Sequence, residues 1–213
     1  MVNKNPDYVL AVYNKLATQG KFPRKWKMAK LLLLQKGNKS LEDPSLFRPI
    51  CLLDIEGKLF EQLLLARLKS ELTRTGDLSP NQFGFRKGKQ TVNAINKLLK
   101  IAKEAENFAH ANRILCVVIT LDVKNAFNSA SWQIILDELK TRRINESLIR
   151  VISSYLSNRY IILCDGSNSK ALQINSGVPQ GSVFGPLCGT SCMMTYCELK
   201  CPTEPLWWDS LMI

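Results

Sequence analysis

The sequence predicts a mixed α+β protein. Stretches with helical periodicity and capping residues alternate with short apolar or β-branched runs. The run from Ile114 to Leu121 is continuous enough to be a strand buried on both faces, and a later pair of runs flanks a turn. Because helices separate the strands without a regular β-α-β alternation, the order favours α+β over a doubly wound sheet. A chain of 213 residues that is 46% hydrophobic can bury a substantial core.

Five helices are predicted from periodicity and from residues that favour helix ends. They run from Pro6 to Leu16, from Ile55 to about Thr73, from Thr91 onwards, from Ser129 to about Lys140, and from Asn145 to Leu156. Asn5, Asp54, Ser129 and Asn145 can cap N-termini, and Gly20 and Gly76 can end helices. In the second helix the spacing selects Leu59, Leu63 and Arg67, and in the third it selects Val92, Ile95, Leu99 and Ala102 as an apolar face.

The strands follow from apolar runs and turn residues. A strand is expected over residues 29–34, another over 114–121, and a hairpin over Tyr160–Cys164 and Lys170–Ile174 with a turn at residues 165–168. Residues 78–90, rich in Pro, Asn, Gly and Lys, are expected to form a loop.

The charge of the chain points to a polyanionic partner. Lys and Arg number 29 against 18 Asp and Glu, and the stretches from Lys21 to Lys39 and from Asn81 to Lys103 contain cations without a single acid. Neutralising phosphates with such cations releases counterions, so nucleic acid is the natural ligand. A soluble basic protein is an equal alternative on charge alone, and a solvated helix face accounts as well for Lys97, Lys100 and Lys103.

Cysteine use and hydropathy predict an intracellular protein with reduced thiols, neither secreted nor membrane-bound. Seven cysteines is an odd number, and no secretory signal precedes them. The longest purely apolar run near the N-terminus, Leu31 to Leu34, is far too short to span a membrane. The crowded cysteines near the C-terminus match no common zinc spacing: Cys188, Cys192, Cys197 and Cys201.

Two motifs can carry chemistry. Asp122 follows the apolar run that ends at Leu121, where a carboxylate can bind Mg²⁺, although an Asp after a strand is more often a cap or turn residue. The segment from Ser176 to Ser182 places glycines around a proline and contains Gln180, so its backbone can approach a ligand closely. The same residues would also make a generic tight loop after a hairpin.

Together these residues resemble the reverse transcriptases of non-LTR (LINE-like) retrotransposons over about residues 20–187. The matching blocks, in family order, are Pro23, Trp26 and Lys27; Lys36-Gly37; Phe47 to Leu53; Gly57 to Glu61; Arg67-Leu68; Asn81 to Gly88 with Thr91; Asp122, Lys124, Ala126, Phe127 and Trp132; and Gly177 to Gly185. The resemblance implies a partial right-hand polymerase fold: residues 1–20 form a leading helix, 21–187 the fingers and incomplete palm, and 188–213 a divergent or truncated tail, with no thumb.

The resemblance also implies an RNA template, a DNA primer, a deoxynucleotide and Mg²⁺ as ligands, used for two-metal nucleotidyl transfer. Asp122 would be the catalytic metal ligand, helped by the backbone carbonyl of Val123. Phe127 would lie under the nucleotide sugar, and Gln180 and Gly181 would border the nucleotide. Arg48 and Arg86 are candidates for phosphate contact; the alternatives are a packing salt bridge for Arg48 and a solvated loop charge for Arg86.

The chain departs from the family pattern after Leu187. The family continues with an aromatic-Ala-Asp-Asp hairpin that completes the metal site, whereas the only acids from 188 to 213 are Glu198, Glu204 and Asp209, with no adjacent Asp pair. One carboxylate cannot hold two Mg²⁺ ions, so this polypeptide is expected to be inactive alone. Two further readings stay open: a repurposed RNA- or DNA-binding module without catalysis, and a non-functional remnant.

Overall fold

The structure, a computed structural model, describes residues 5–37, 46–75, 80–107, 117–118, 120, 125–166 and 168–186. These residues belong to two compact units. The first contains the described residues up to 75 and from 125 onwards, and the second contains those from 80 to 120.

The described part of the first unit contains five helices and four strands, in an α+β order in which strands come in adjacent pairs and helices in runs. The helices are α1 (Pro6–Gln19), α2 (Ile55–Thr75), α4 (Ala126–Ser129), α5 (Trp132–Thr141) and α6 (Glu146–Leu156), with a 3-10 turn at Arg24–Lys27. The strands are β1 (Met28–Gln35), β2 (Phe47–Leu52), β3 (Arg159–Asp165) and β4 (Asn168–Ile174). The second unit contributes α3 (Thr91–Glu106).

Local sequence signals explain most helix boundaries. The Asn5 side chain accepts a hydrogen bond from the Tyr8 amide, and α1 ends at Gly20 in the left-handed conformation. Asn145 caps α6 in the same manner, as the sequence predicts. Ser129 does not start the next helix, because it ends the short α4 instead; Ser131 caps α5 two residues later.

The four strands form one sheet in the order β2-β1-β3-β4. Antiparallel pairing joins β1 to β2 and β3 to β4, which confirms the predicted hairpin, whereas β1 and β3 are parallel. Side chains alternate between two faces. The inner face carries the buried Ala29 and Cys51, and the outer face is largely exposed.

Aromatic packing between α1, the 3-10 turn, α2 and α6 builds the core of the first unit. Ring centroids lie 5.0 to 6.0 Å apart in edge-on, tilted and stacked pairs that join Tyr13, Phe22, Trp26, Phe60 and Tyr155. All five residues are buried. Such pairs stabilise the packing beyond the area that they bury.

The buried face of α2 differs from the predicted stripe. It consists of Gly57, Phe60, Glu61, Leu64, Leu68 and Leu72, whereas Leu63 keeps 39% of its surface exposed and Arg67 is also exposed. The helix is amphipathic as expected, but the spacing chosen from Leu59 is one position out of phase with the side that docks.

In the second unit, the predicted loop before Thr91 has no helix or regular strand in its described part, residues 80–90. The helix α3 forms, but its predicted apolar face is exposed, at 59% for Val92, 46% for Ile95 and 53% for Leu99. Within the predicted strand 114–121, the described Val117 and Val118 are exposed and adopt no strand, so the expected burial is wrong there. The remaining residues of that run, except Thr120, lie outside the described part.

No helix in the described part of the chain is long and apolar enough to cross a membrane.

Candidate functional site

The Gly-Val-Pro-Gln-Gly-Ser segment forms a loop that is bonded to the turn around α4. Gly177 donates its amide to the Ala130 carbonyl at 2.8 Å, and Val178 donates to the Phe127 carbonyl at 2.7 Å. The indole Nε1 of Trp132 donates to the Gly177 carbonyl at 2.7 Å. These three bonds hold the start of the loop beside Phe127, one of the predicted site residues.

Two glycines permit the close approaches that this loop makes. Gly177 has φ +81°, and a Cβ there would lie 2.7 Å from the Asn128 carbonyl oxygen. Gly181 has φ +123°, and a Cβ there would lie 2.6 Å from the Cys51 carbonyl oxygen. The Cys51 amide donates to the Gln180 carbonyl at 2.8 Å, so the loop also runs along the free edge of β2. Both positions need glycine because the obstructing atoms are backbone.

A buried carboxylate secures the end of the loop. Glu61 Oε2 accepts hydrogen bonds from the Ser182 hydroxyl at 2.7 Å, the Val183 amide at 2.7 Å and the Phe184 amide at 3.2 Å. Glu61 is fully buried, and its Oε1 has no hydrogen-bond partner in the part of the chain that the structure describes. The Ser182 oxygen also lies 2.7 Å from the Tyr155 hydroxyl.

Two buried cations lie where β1, β3 and the end of α6 meet. The Lys27 ammonium donates to the carbonyls of Ser154 and Ser157 at 2.8 and 2.9 Å. Arg159 donates from Nη1 to the Tyr155 carbonyl at 3.0 Å and stacks over that ring. The C-terminal carbonyls of a helix carry partial negative charge, so they stabilise these cations in place of carboxylates.

Burial shifts the pKa values around this pair. The pKa of Lys27 is lowered by desolvation first, and then by the charges of Arg159 and Arg24. The pKa of the Cys51 thiol is raised, because desolvation outweighs the opposing effects of Arg159 and of the backbone hydrogen bond with Gln180. The Cys51 thiol is therefore an unreactive core group at neutral pH.

The outer face of the sheet combines apolar side chains with cations. Register and alternation place on this face Met28, Lys30, Leu32, Leu34, Arg48, Ile50, Leu52, Tyr160 and Ile162. Arg24 lies over the Tyr160 ring, 5.2 Å from its centroid. Leu32, Leu34 and Leu52 expose 45%, 46% and 51% of their surface, which is unusual for leucines in a sheet.

The structure brings together only part of the predicted site. Phe127 and Gln180 are half-buried, and Gly181 is exposed, all within one unit. Arg48 is exposed on β2 and forms no ion pair with any described residue. Arg86 is half-buried in the second unit, where it is not without a partner. Asp122 and Val123 lie outside the described residues, as do Cys188, Cys192, Cys197 and Cys201.

The sequence does not single out three charged residues that the structure buries. Lys27 belongs to an acid-free basic stretch and to a matching block, Glu61 belongs to a matching block, and Arg159 adjoins the predicted hairpin. The sequence signal that could have identified Glu61 is its position on α2, where it lies on the same helix face as the apolar residues that are buried. No cluster of three metal-ligating side chains occurs among the residues that the structure describes.

Comparison with known proteins defines the class. The family model described as reverse transcriptase (RNA-dependent DNA polymerase) matches residues 34–199, which is most of the chain. The chain therefore belongs to the reverse transcriptase family.

Similar proteins place the chain among the non-LTR retrotransposon branch of that family. It is 33% identical over 181 residues to the "Probable RNA-directed DNA polymerase from transposon BS" of Drosophila melanogaster, and 32% identical over 180 residues to the RNA-directed DNA polymerase from mobile element jockey of the same species. Each match covers 84% of this chain. It is 30% identical over 182 residues to the Pol polyprotein from type-1 retrotransposable element R1 of Bradysia coprophila, which covers 85% of this chain. The aligned region amounts to 17–19% of these relatives, so the chain spans about a fifth of their length.

Proposed function

We propose that this chain supplies the fingers and the first part of the palm of a right-hand RNA-directed DNA polymerase, and that it holds a template–primer and an incoming deoxynucleotide. A polypeptide of these 213 residues does not polymerise by itself. One observation carries the proposal: the Gly177–Gly185 loop is bonded both to the α4 turn and to β2. These bonds connect Phe127, Gln180 and the strand that bears Arg48, as the proposed site requires.

Phe127 and Gln180 serve the nucleotide in this proposal. The Phe127 carbonyl itself accepts the hydrogen bond from the Val178 amide, so a shift of the loop moves Phe127 and Gln180 together. An aromatic ring under the sugar excludes a 2′-hydroxyl by its bulk. Gln180 contributes an amide group that can both donate and accept hydrogen bonds.

The outer face of the sheet serves the nucleic acid. Its exposed leucines and Tyr160 can contact bases, while Arg24, Lys30 and Arg48 can contact phosphates. The four strands contain a single acid, Asp165, so little negative charge opposes a phosphate backbone.

A divalent metal, expected as Mg²⁺, belongs to this chemistry. Asp122 and the Val123 carbonyl would hold it, and when bound it would neutralise charge on the transferred phosphate. The described residues alone do not make such a site, and the sequence after Leu187 adds no paired aspartates. No reaction step is therefore assigned to this polypeptide alone.

Primer extension tests the catalytic half of the proposal. The purified 213-residue chain is incubated with an RNA template, a DNA primer, Mg²⁺ and labelled deoxynucleotides, beside Asp122→Ala. We expect no extension by either protein while circular dichroism shows both folded. Extension that the Asp122→Ala variant loses would refute the proposed inactivity, because the chain would then complete a metal site.

Binding of a fluorescent template–primer tests the nucleic-acid half. Arg48→Ala should weaken binding and lower the salt slope by about one, as expected for the loss of one phosphate contact. Lys69→Ala is the matched control, because Lys69 is an exposed cation on α2, away from the sheet. Equal losses in the two variants would mean that charge alone, and not this face, binds the ligand.

A further inference from the structure

We infer that Glu61 is a positioning residue for the nucleotide-bordering loop: its carboxylate on α2 fixes the orientation of Gln180 and Gly181 without touching the ligand. The inference rests on the proposed function for the role of the loop. The contact itself is independent of that role.

Among the described residues, the Glu61 carboxylate is bound by the loop alone. Its Oε2 accepts three hydrogen bonds, all from the consecutive residues Ser182, Val183 and Phe184. Among the described residues it has no cationic partner, although it is fully buried. A buried carboxylate without a cation is costly, and neutral donors are the groups that stabilise it here. An apolar residue of similar size would fill the space at lower cost but could not hold the loop amides.

The Ser182 hydroxyl, which donates to Glu61, takes part in further hydrogen bonds. The Ser182 oxygen accepts from the amides of Phe184 and Gly185 at 3.0 Å each, and it shares a hydrogen bond of 2.7 Å with Tyr155. Tyr155 belongs to the aromatic core. The end of the loop is therefore tied through Ser182 to both α2 and α6.

Gly181 links two fixed points that are close in sequence. The Gln180 carbonyl is bonded to the Cys51 amide at 2.8 Å, and Ser182 is bonded to Glu61. Between these points the backbone at Gly181 adopts φ +123°. If the Glu61 bonds are lost, Gly181 offers little resistance to rotation, because glycine occupies this region freely. The prediction is that Gly181 then moves, and that Gln180, which keeps only its bond with Cys51 on this side, is oriented less firmly.

Hydrogen exchange measures this effect without any ligand. In Glu61→Ala we expect the amides of Val183 and Phe184 to exchange roughly 10- to 100-fold faster than in the native chain. Glu61→Gln keeps an acceptor oxygen and should restore most of the protection. The Trp132 indole resonance reports the start of the loop through its bond to Gly177, and it should shift less than the amides do.

Leu64→Ala is the matched control for general destabilisation. Leu64 is buried one turn further along α2 and belongs to the same buried face. It should accelerate exchange of the loop and of α6 by similar factors. The same uniform acceleration in Glu61→Ala would overturn the inference and leave Glu61 as an ordinary core residue.

A nucleotide titration separates this inference from the proposed function. With a fluorescent deoxynucleoside triphosphate, template–primer and Mg²⁺, Glu61→Ala should bind about tenfold more weakly than the native chain, and Leu64→Ala should bind normally below its unfolding temperature. If the native chain binds no nucleotide, the proposed function fails, while the exchange data still decide whether Glu61 positions the loop. Nucleotide binding that Glu61→Ala leaves unchanged would overturn the positioning role.

Discussion

Gly177→Ala tests whether the loop depends on its close approach to the α4 turn. The new methyl group would lie 2.7 Å from the Asn128 carbonyl oxygen and 3.0 Å from two further backbone atoms of that residue. Backbone cannot rotate away as a flexible side chain can, so the loop or the turn has to move. That movement would lengthen the hydrogen bonds from Gly177 to Ala130 and from Val178 to Phe127.

The expected loss in the free energy of unfolding for Gly177→Ala has two parts. Placing alanine at φ +81° costs about 1–2 kcal/mol, the penalty of the left-handed region for an L-residue. Relieving the overlap with backbone adds about 1–3 kcal/mol, as for other overpacked sites. The free energy of unfolding should therefore fall by about 2–5 kcal/mol, of which only the first part arises from φ.

Gly166→Ala isolates the first part. Gly166 also has a positive φ, of +55°, but a Cβ there would meet nothing within 4 Å. Urea denaturation followed by circular dichroism should show a loss of about 1–2 kcal/mol for Gly166→Ala and a clearly larger loss for Gly177→Ala. Equal losses would refute the argument, because the contact with Asn128 would then contribute nothing.

Three further outcomes follow from burial and charge. Phe60→Ala should lower the free energy of unfolding by about 3–5 kcal/mol, because Phe60 is 1% exposed. Leu63→Ala should lower it by well under half as much, because Leu63 is 39% exposed. Similar losses for the two variants in urea denaturation would contradict the observed buried face of α2. Thiol labelling at neutral pH, followed by peptide mapping, should show that the exposed Cys164 reacts and that Cys51 does not, because Cys51 is buried and desolvation raises the pKa of its thiol. Rapid labelling of Cys51 in the folded chain would show that the edge of β2 opens. The pKa of Glu71 is lowered from 4.5, chiefly by its hydrogen bond with Arg74, so the stabilising effect of this carboxylate is present above pH 4.5 and is lost as the pH falls through the lowered value. Glu71→Gln should therefore be less stable than the native chain at pH 6 and equally stable in strong acid. A difference in stability that does not change with pH would argue against the ion pair.

Local signals made most of the first unit predictable. Asn5, Asn145 and the residues around Gly166 act within a few positions of themselves, so their effect on helix ends and on the hairpin can be read from neighbouring residues. The start of α5 does not follow from the sequence because Ser129 and Ser131 are both suitable caps, and in the structure it is Ser131 that accepts a hydrogen bond from the Ile134 amide. The face of α2 was missed because helical periodicity defines spacing but not phase when a polar residue such as Glu61 is buried.

The family motifs, including those that contain Phe127, Gln180 and Gly181, can be recognised in the sequence, where their order and spacing identify the class. The contacts of these residues cannot be read from the sequence. The sheet shows that Arg48 lies on the exposed outer face, and this position does not follow from the sequence.

The sequence by itself determined the α+β class, most helix and strand positions, the reverse transcriptase family and the glycine-containing loop that follows β4. Only the tertiary structure decided the parallel pairing of β1 with β3, the burial of Lys27 and Arg159 against the end of α6, and the bond from Glu61 to Ser182. The physical reason is distance along the chain. Capping and periodicity act over a few residues, whereas Glu61 and Ser182 are 121 positions apart and meet only because α2 and the loop pack against one core.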